Sequence, residues 1–253
     1  MKVLFLGTGT SQGVPMANCN CHVCLSPDIR DKRLRPSVLV EVNSFRILID
    51  AGPDLRLQLI KYRIDDIDAI LLTHYHMDHI GGIDEVRPIN FLKKKSIPVY
   101  GEKSTLERVE RIYDYCFSRE KYPGVPEISL NEITLNPFKI GDVEIVPVRC
   151  YHYILPVLAF RIGEFAYVTD AKYIPPEEIE KIKGVKVLVV NALRKEEHIS
   201  HFTFNEAINF IREVKPEKAY LTHISHQLGR HIDILRECPE NIEPAYDGLT
   251  ISI

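Results

Sequence analysis

Three imidazoles and a carboxylate stand within six residues at His74-Tyr75-His76-Met77-Asp78-His79, directly after the apolar run 69–72. In the spacing H-x-H-x-D-H, an extended turn sends His74 and His76 to one side. Asp78 and His79, opening the next helix, then reach a second point nearby. Imidazole nitrogen and carboxylate oxygen both ligate divalent metals, and the pattern suits two ions sharing one site. A polar loop with coincidental histidines is the alternative. A second concentration is Cys19-Asn20-Cys21-His22-Val23-Cys24, which holds three of the six cysteines. Three thiolates lack one ligand of a tetrahedral zinc, and His22, pinned between cysteines, is strained as the fourth. A cluster of reactive or incidental thiols is the other reading. Cys116, Cys150 and Cys238 are scattered and read as core or incidental positions. This clustered spacing argues against a disulfide framework and for a reducing cytoplasm.

Two other segments invite chemical readings. Gly7-Thr8-Gly9-Thr10-Ser11-Gln12-Gly13 follows the first apolar run, but its G-x-G-x-x-x-G spacing is not the dinucleotide fingerprint. Pro15 and the cysteines come where a helix would have to open, so a dinucleotide site is rejected. Asn191-Ala192-Leu193-Arg194 and His198-Ile199-Ser200-His201 precede a helix expected from residue 204, which Thr203 or Asn205 could cap. Lys93-Lys94-Lys95 reads as a solvated helix end.

The elements that must position these groups are short β-branched apolar runs at 3–6, 38–42, 45–49, 69–72, 143–148, 165–168, 187–190, 219–221 and 249–253. Stretches with helical spacing lie between them at 54–62, 104–115, 176–183, 204–214 and 227–237. Strands with interspersed helices predict an α/β or α+β layered protein, read as one domain over 1–253, its last residues a strand docking back into a sheet. Hydrophobic residues make up 45% of the 253, enough for a sizeable core, and the net charge is −3. That balance offers no basic excess for binding a nucleic-acid polymer. No apolar run approaches a membrane span, and the run before Gly7 is too short for a secretion signal.

The motif His74–His79 resembles the signature of the metallo-β-lactamase superfamily, whose fold is a four-layer αβ/βα sandwich with metals at the sheet edge. The resemblance implies the remaining ligands: His152 after the run 143–148, Asp170 after 165–168 and His223 after 219–221. It implies that His74, His76 and His152 hold one metal, that Asp78, His79 and His223 hold the other, and that Asp170 bridges. Asp50, closing Ile-Leu-Ile-Asp-Ala-Gly, would orient a ligand, although an Asp before Gly also suits a turn. His226, three residues past His223, then becomes the better fourth ligand for Cys19, Cys21 and Cys24. This cysteine–histidine pattern resembles the branch holding the cyclic phosphodiesterase of phosphonate breakdown and relatives of quinone-cofactor synthesis protein B. There the cluster is a structural zinc.

With those ligands assigned, His198 and His201 are free for proton work. The resemblance makes His201 the general acid or phosphate stabiliser, with Glu197 or His198 as alternatives and Arg194 helping to hold an anionic substrate. Five neutral histidines and two carboxylates around two divalent ions leave a net positive centre, suited to a phosphate. Asp78 would accept a proton from the nucleophile. The mixed ligands suit zinc, manganese or iron(II). The expected activity is therefore hydrolysis of a small phosphodiester, a cyclic one included, by a protein that the resemblance makes a dimer. The alternatives are a tRNA 3′-end endonuclease, a thioester hydrolase, and a non-hydrolytic accessory or oxidative role in quinone-cofactor metabolism. Against the first, only 17 residues separate His152 from Asp170, too few for the protruding arm of that enzyme. Against the second, only 30 follow His223, too few for a helical substrate domain.

Overall fold

The computed structural model describes residues 1–120 and 122–253. The first half of the chain forms β1 (Lys2–Gly7), β2 (Ser37–Val42), β3 (Phe45–Ile49), β4 (Ala69–Leu71), β5 (Ile97–Gly101) and β6 (Ile128–Glu132). The second half forms β7 (Phe138–Ile140), β8 (Val143–His152), β9 (Leu155–Ile162), β10 (Phe165–Val168), β11 (Val187–Asn191), β12 (Lys218–Thr222) and β13 (Ile242–Pro244). Strand β14 (Thr250–Ser252) returns to the first sheet and pairs antiparallel with β1, as the apolar C-terminal run predicts. The sheets run β14-β1-β2-β3-β4-β5-β6 and β13-β12-β11-β10-β9-β8-β7.

Alternation along the strands explains the layers. Successive side chains point to opposite faces of a sheet, and here both faces are covered. Ile47 and Ile49 of β3, Ala69 and Leu71 of β4, Phe165 and Tyr167 of β10 and Val189 of β11 share one buried cluster between the sheets. Their neighbours Leu48 and Ile70 face the other way, into a cluster with Leu55, Ile83, Ile89 and Leu106 from the helical layer. Ala166, Val168, Leu188 and Val190 face out into a third cluster with Ile208, Ile211 and Ile234. The result is the expected αβ/βα sandwich. The helices over the first sheet are α1 (Leu55–Tyr62), α2 (Met77–Ile80), α3 (Arg87–Lys93) and α4 (Lys103–Ile112). Those over the second are α5 (Pro176–Ile179), α6 (Phe204–Val214) and α7 (His231–Glu237). Thr203 caps α6 in a reciprocal box with Glu206.

The sequence reading passed over five strands, for two physical reasons. Strands β6, β7 and β13 are sheet edges, where one side of the ladder is open and the apolar alternation is weak. Strands β5 and β9 each carry proline as their second residue, Pro98 and Pro156, which argues against an interior strand. The helical stretches at 176–183 and 227–237 are shorter than expected, limited to α5 and α7.

Candidate metal centre

Each candidate ligand lies at or just beyond the carboxyl end of a strand. The loop after β4 carries His74 and runs into α2, which bears Asp78 and His79. His152 is the last residue of β8, and Asp170 and His223 follow β10 and β12. The two sheets deliver these groups to one place: ring centroids are 5.8 Å apart for His74 and His152, 5.2 Å for His76 and His152 and 6.0 Å for His79 and His223. Asp50, Asp170 and His223 have φ of 64°, 55° and 53°. Left-handed backbone costs an L-residue about 1–2 kcal/mol, so the surrounding packing must hold these three side chains in place.

The segment after β3 clamps the motif. The Ala51 N–H donates to the His79 carbonyl at 2.7 Å, and the Gly82 N–H donates to that of Ala51 at 2.8 Å. A Cβ on Gly52 would collide with the Asp78 carbonyl oxygen, so glycine is what allows this approach. The glycine-rich stretch has a similar use. Gly7 and Gly9 pack against the Arg35 and Arg33 carbonyls, and Gly9 bridges to Ile224 beside His223.

Hydrogen bonds set which ring nitrogen each histidine offers. Asp50 is fully buried and accepts from His79 Nδ1 at 2.7 Å, from the Thr73 N–H at 2.9 Å and from the Thr73 hydroxyl. Because that hydroxyl donates to Asp50, its oxygen accepts from His74 Nδ1 at 3.0 Å. His152 Nδ1 donates to the Ser200 carbonyl at 2.9 Å. In all three rings Nε2 is the nitrogen these bonds leave free, which is how a ligating histidine is held. Thr73 thus links Asp50 to a second candidate ligand. The sequence reading missed it, since a threonine ending a strand carries no signal of that role.

Ligand-type atoms of Asp78, His79, Asp170 and His223 all lie within 4.8 Å of one another, and a second group joins His152, Asp170 and His201. Within the first group, His79 Nε2 is 3.2 Å from both Asp78 Oδ2 and Asp170 Oδ2, and His223 Nε2 is 3.2 Å from Asp170 Oδ1 and 3.6 Å from Asp78 Oδ2. Tetrahedral zinc with metal–ligand distances near 2.0–2.2 Å has ligand–ligand edges of about 3.3–3.6 Å, so these separations fit a shared ion. His74 Nε2, His79 Nε2 and His223 Nε2 are buried without a hydrogen-bond partner, a costly state for polar atoms unless a ligand satisfies them. Burial keeps His74 well below the ordinary imidazole pKa. Burial also opposes charge on His79, but the carboxylates of Asp78, Asp50 and Asp170 outweigh it and hold that ring well above its ordinary value. The carboxylates draw positive charge to this point. His74 and His76 stand against the same rings rather than within either group.

The thiol cluster closes across the fold. Cys19, Cys21, Cys24 and His226 form the third ligand group. His226 Nδ1 is 3.4 Å from Cys19 Sγ and 3.3 Å from Cys21 Sγ, near the edge of about 3.5 Å that zinc with one sulfur and one nitrogen ligand would give. The Cys24 N–H and His226 bring the Cys21 thiol down to about 6, whereas burial pushes Cys24 up to about 11. His22 takes no part in the group.

Beside the histidines lies a cavity of about 450 Å³, lined among others by Gln12, Arg194, His198, His201 and Gln227. His201 Nδ1 is 3.6 Å from Asp170 Oδ1, with its ring 4.4 Å from that of His152 and 5.1 Å from that of His198. Burial pushes its imidazole down to about 2, so the ring is neutral. Arg194 is tied to the Glu197 carbonyl at 2.6 Å and to Gln227 Oε1 at 3.2 Å. A larger cavity of about 890 Å³, lined by Lys2, Arg46, Asp65 and Lys93, holds none of these groups.

Comparison with known proteins agrees with this geometry. A family model described as a beta-lactamase superfamily domain matches residues 45–224. A protein of Porphyromonas gingivalis named octanoyltransferase is 41% identical over 252 residues, which is 98% of this chain and 51% of that protein. The chain therefore spans about half the length of that relative. A ribonuclease Z of Methanopyrus kandleri is 25% identical over 269 residues, 87% of this chain and 92% of the other. Among solved structures, a diphosphatase of the PhnP family is 34% identical with a TM-score of 0.93, covering 100% of this chain and 97% of that one. Among the described residues no helix is long and apolar enough to cross a membrane.

Proposed function

The chain belongs to the beta-lactamase superfamily as a metallo-hydrolase of that fold, and from this premise we propose that it hydrolyses a small phosphoric diester or diphosphate at a two-metal centre. The observation that carries the reading is the pair of ligand groups meeting at Asp170. Asp78, His79 and His223 would hold one ion, and His152 the other together with His74 and His76, whose rings stand against those of His79 and His152, with Asp170 between the two. When bound, zinc, manganese or iron(II) supplies Lewis acidity toward a phosphoryl oxygen and toward water.

The rest is the work of the side chains. Burial would push the Asp78 carboxyl up, but His79 and His223 outweigh it, so Asp78 stays ionised and accepts a hydrogen bond from the attacking nucleophile. His201, held neutral by burial, keeps one N–H with which it donates a hydrogen bond, not a proton, to the charge developing on the departing oxygen. Arg194 and His198 line the same cavity as His201, and the Arg194 guanidinium suits an anionic substituent. Cys19, Cys21, Cys24 and His226 would hold a structural zinc that ties the 19–24 segment to the loop after β12.

The likeness to the PhnP-family diphosphatase runs the length of the chain and supports attack at phosphorus. Acyl transfer is the second reading, favoured by the 41% identity to the octanoyltransferase, half of which lies outside the match. The test is release of p-nitrophenol from bis(p-nitrophenyl) phosphate and from p-nitrophenyl octanoate by protein reconstituted with zinc or manganese. Metal-dependent turnover of the diester, lost in Asp78→Ala, supports phosphoester hydrolysis. Turnover of the octanoate alone would replace it with acyl chemistry.

A further inference from the structure

Five of the thirteen large apolar side chains that the described residues leave exposed lie within three positions of a candidate ligand of the two-metal centre or of His201. They are Met77 in the motif, Tyr153 and Ile154 after His152, Tyr173 after Asp170, and Ile199 before His201. The backbone draws the last four together. The Tyr151 N–H donates to the Tyr173 carbonyl at 2.8 Å, and the Ser200 carbonyl, next to Ile199, accepts from His152 at 2.9 Å. Each is more than half exposed, Ile154 at 79%. Exposure of one apolar residue needs no explanation, but a contiguous apolar rim commonly marks a binding surface.

The hairpin between β8 and β9 adds a second observation. His152 pairs with Leu155, so Tyr153 and Ile154 alone make the turn, and Tyr153 has φ of 58°. Two-residue turns of this kind favour glycine or asparagine at a positive φ, and a bulky aromatic there is strained. A large ring and a β-branched side chain are held out at the tip, next to a ligand, in a turn that glycine would make more easily. Backbone strain of this sort collects at functional sites.

On the reading of phosphoester hydrolysis given above, we propose that Tyr153, Ile154, Tyr173 and Ile199 form a specificity subsite for a flat, ring-bearing arm of the substrate, such as a nucleobase. The phosphate would sit at the ligand groups and the second, hydrophilic arm would point to the cavity of Arg194, Gln12 and Gln227. A flat ring gains from stacking on a single open face. An alkyl chain needs an enclosed apolar slot, and the cavity of about 390 Å³ that Tyr173 borders is lined also by the charged Lys172, Glu206 and Glu213.

The test compares binding of thymidine 5′-monophosphate and methyl phosphate to the zinc-loaded protein by isothermal titration calorimetry. The base should improve binding about tenfold or more, the gain that stacking one base on aromatic side chains gives. In Tyr153→Gly combined with Ile154→Ser the ratio should approach one. Tyr173→Ala, outside the hairpin, should lower it by a smaller factor and serves should the hairpin variant fold poorly. Equal binding of the two phosphates by the wild type, or an undiminished ratio in the variants, would overturn the subsite. So would tighter binding of octyl phosphate than of thymidine monophosphate. Thymidine alone should also shift the amide resonances of Tyr153, Ile154 and Ile199. That readout needs no phosphate chemistry, so absence of a shift sinks the subsite even where the hydrolytic reading fails on its own.

Discussion

Replacing Asp50 by Asn tests how the ligands are oriented, because the change is nearly isosteric and the site is sealed. Asp50 accepts from His79 Nδ1 at 2.7 Å and from the Thr73 N–H and hydroxyl at about 3 Å, and no part of it is exposed. A carboxylate presents two acceptors, and an amide presents one acceptor and one donor. With the amide nitrogen toward His79, the ring must carry its proton on Nε2, and the lone pair directed at Asp78 and Asp170 is lost. With the amide rotated, two donors face each other at Thr73. Either arrangement leaves a buried polar group unsatisfied, at about 1–3 kcal/mol, equivalent to about 5- to 150-fold in a binding constant. The range known for partners of metal-bound histidines, about 10- to 100-fold, lies within it. Zinc affinity measured by competition with a chromophoric chelator should therefore fall by that factor for the ions held through His79 and His74, with the cysteine-bound zinc unaffected. Far-ultraviolet circular dichroism should be unchanged. Wild-type affinity in a folded Asp50→Asn protein would refute the assignment of His79 as a ligand oriented by Asp50.

Removing His201 as Ala should lower turnover by about 100-fold or more, the usual range for a lost hydrogen-bond donor to developing charge, without loss of bound metal. Metal loss in step with activity would instead make His201 a ligand, as its place beside His152 and Asp170 allows. Cys21→Ala should release about one zinc equivalent, read by atomic absorption, and lower the melting temperature while the other two ions stay. Asp247 gives a test by pH. Burial pushes its carboxyl up to about 6 despite hydrogen bonds from the Leu34 and Thr8 N–H groups. Its folded value lies above the unfolded one near 4, so the folded state holds a proton that the unfolded state has lost. This group's contribution to stability is thus greatest below about pH 4 and is lost as pH rises through 6. At about 1.4 kcal/mol per pH unit the loss is about 3 kcal/mol. Urea unfolding at pH 4 and pH 7 should show this slope in the wild type, and Asp247→Asn should lack it.

The amino-acid sequence by itself settled what local spacing can settle. The run His74–His79 holds four ligand-type side chains on one turn and one short helix, and their separation follows from backbone geometry over six residues. The three cysteines are close for the same reason. The interior strands other than the proline-bearing β5 and β9 announced themselves as apolar runs because both faces are buried, and α6 matched its expected limits because its helical stripe and cap agree. Tertiary structure decided what lies far apart in the chain. His226 meets Cys19 across 207 positions, and Asp170 comes between His79 and His223 only because β10 and β12 end beside the loop after β4. Strand order and register set such contacts, and a run of apolar residues does not specify them. The link from Asp50 through Thr73 to His74, the edge strands, and the strained turn that holds out Tyr153 likewise exist only once the two sheets have packed. A hydrogen bond or a positive φ is a property of neighbours in space, which the order of residues does not state.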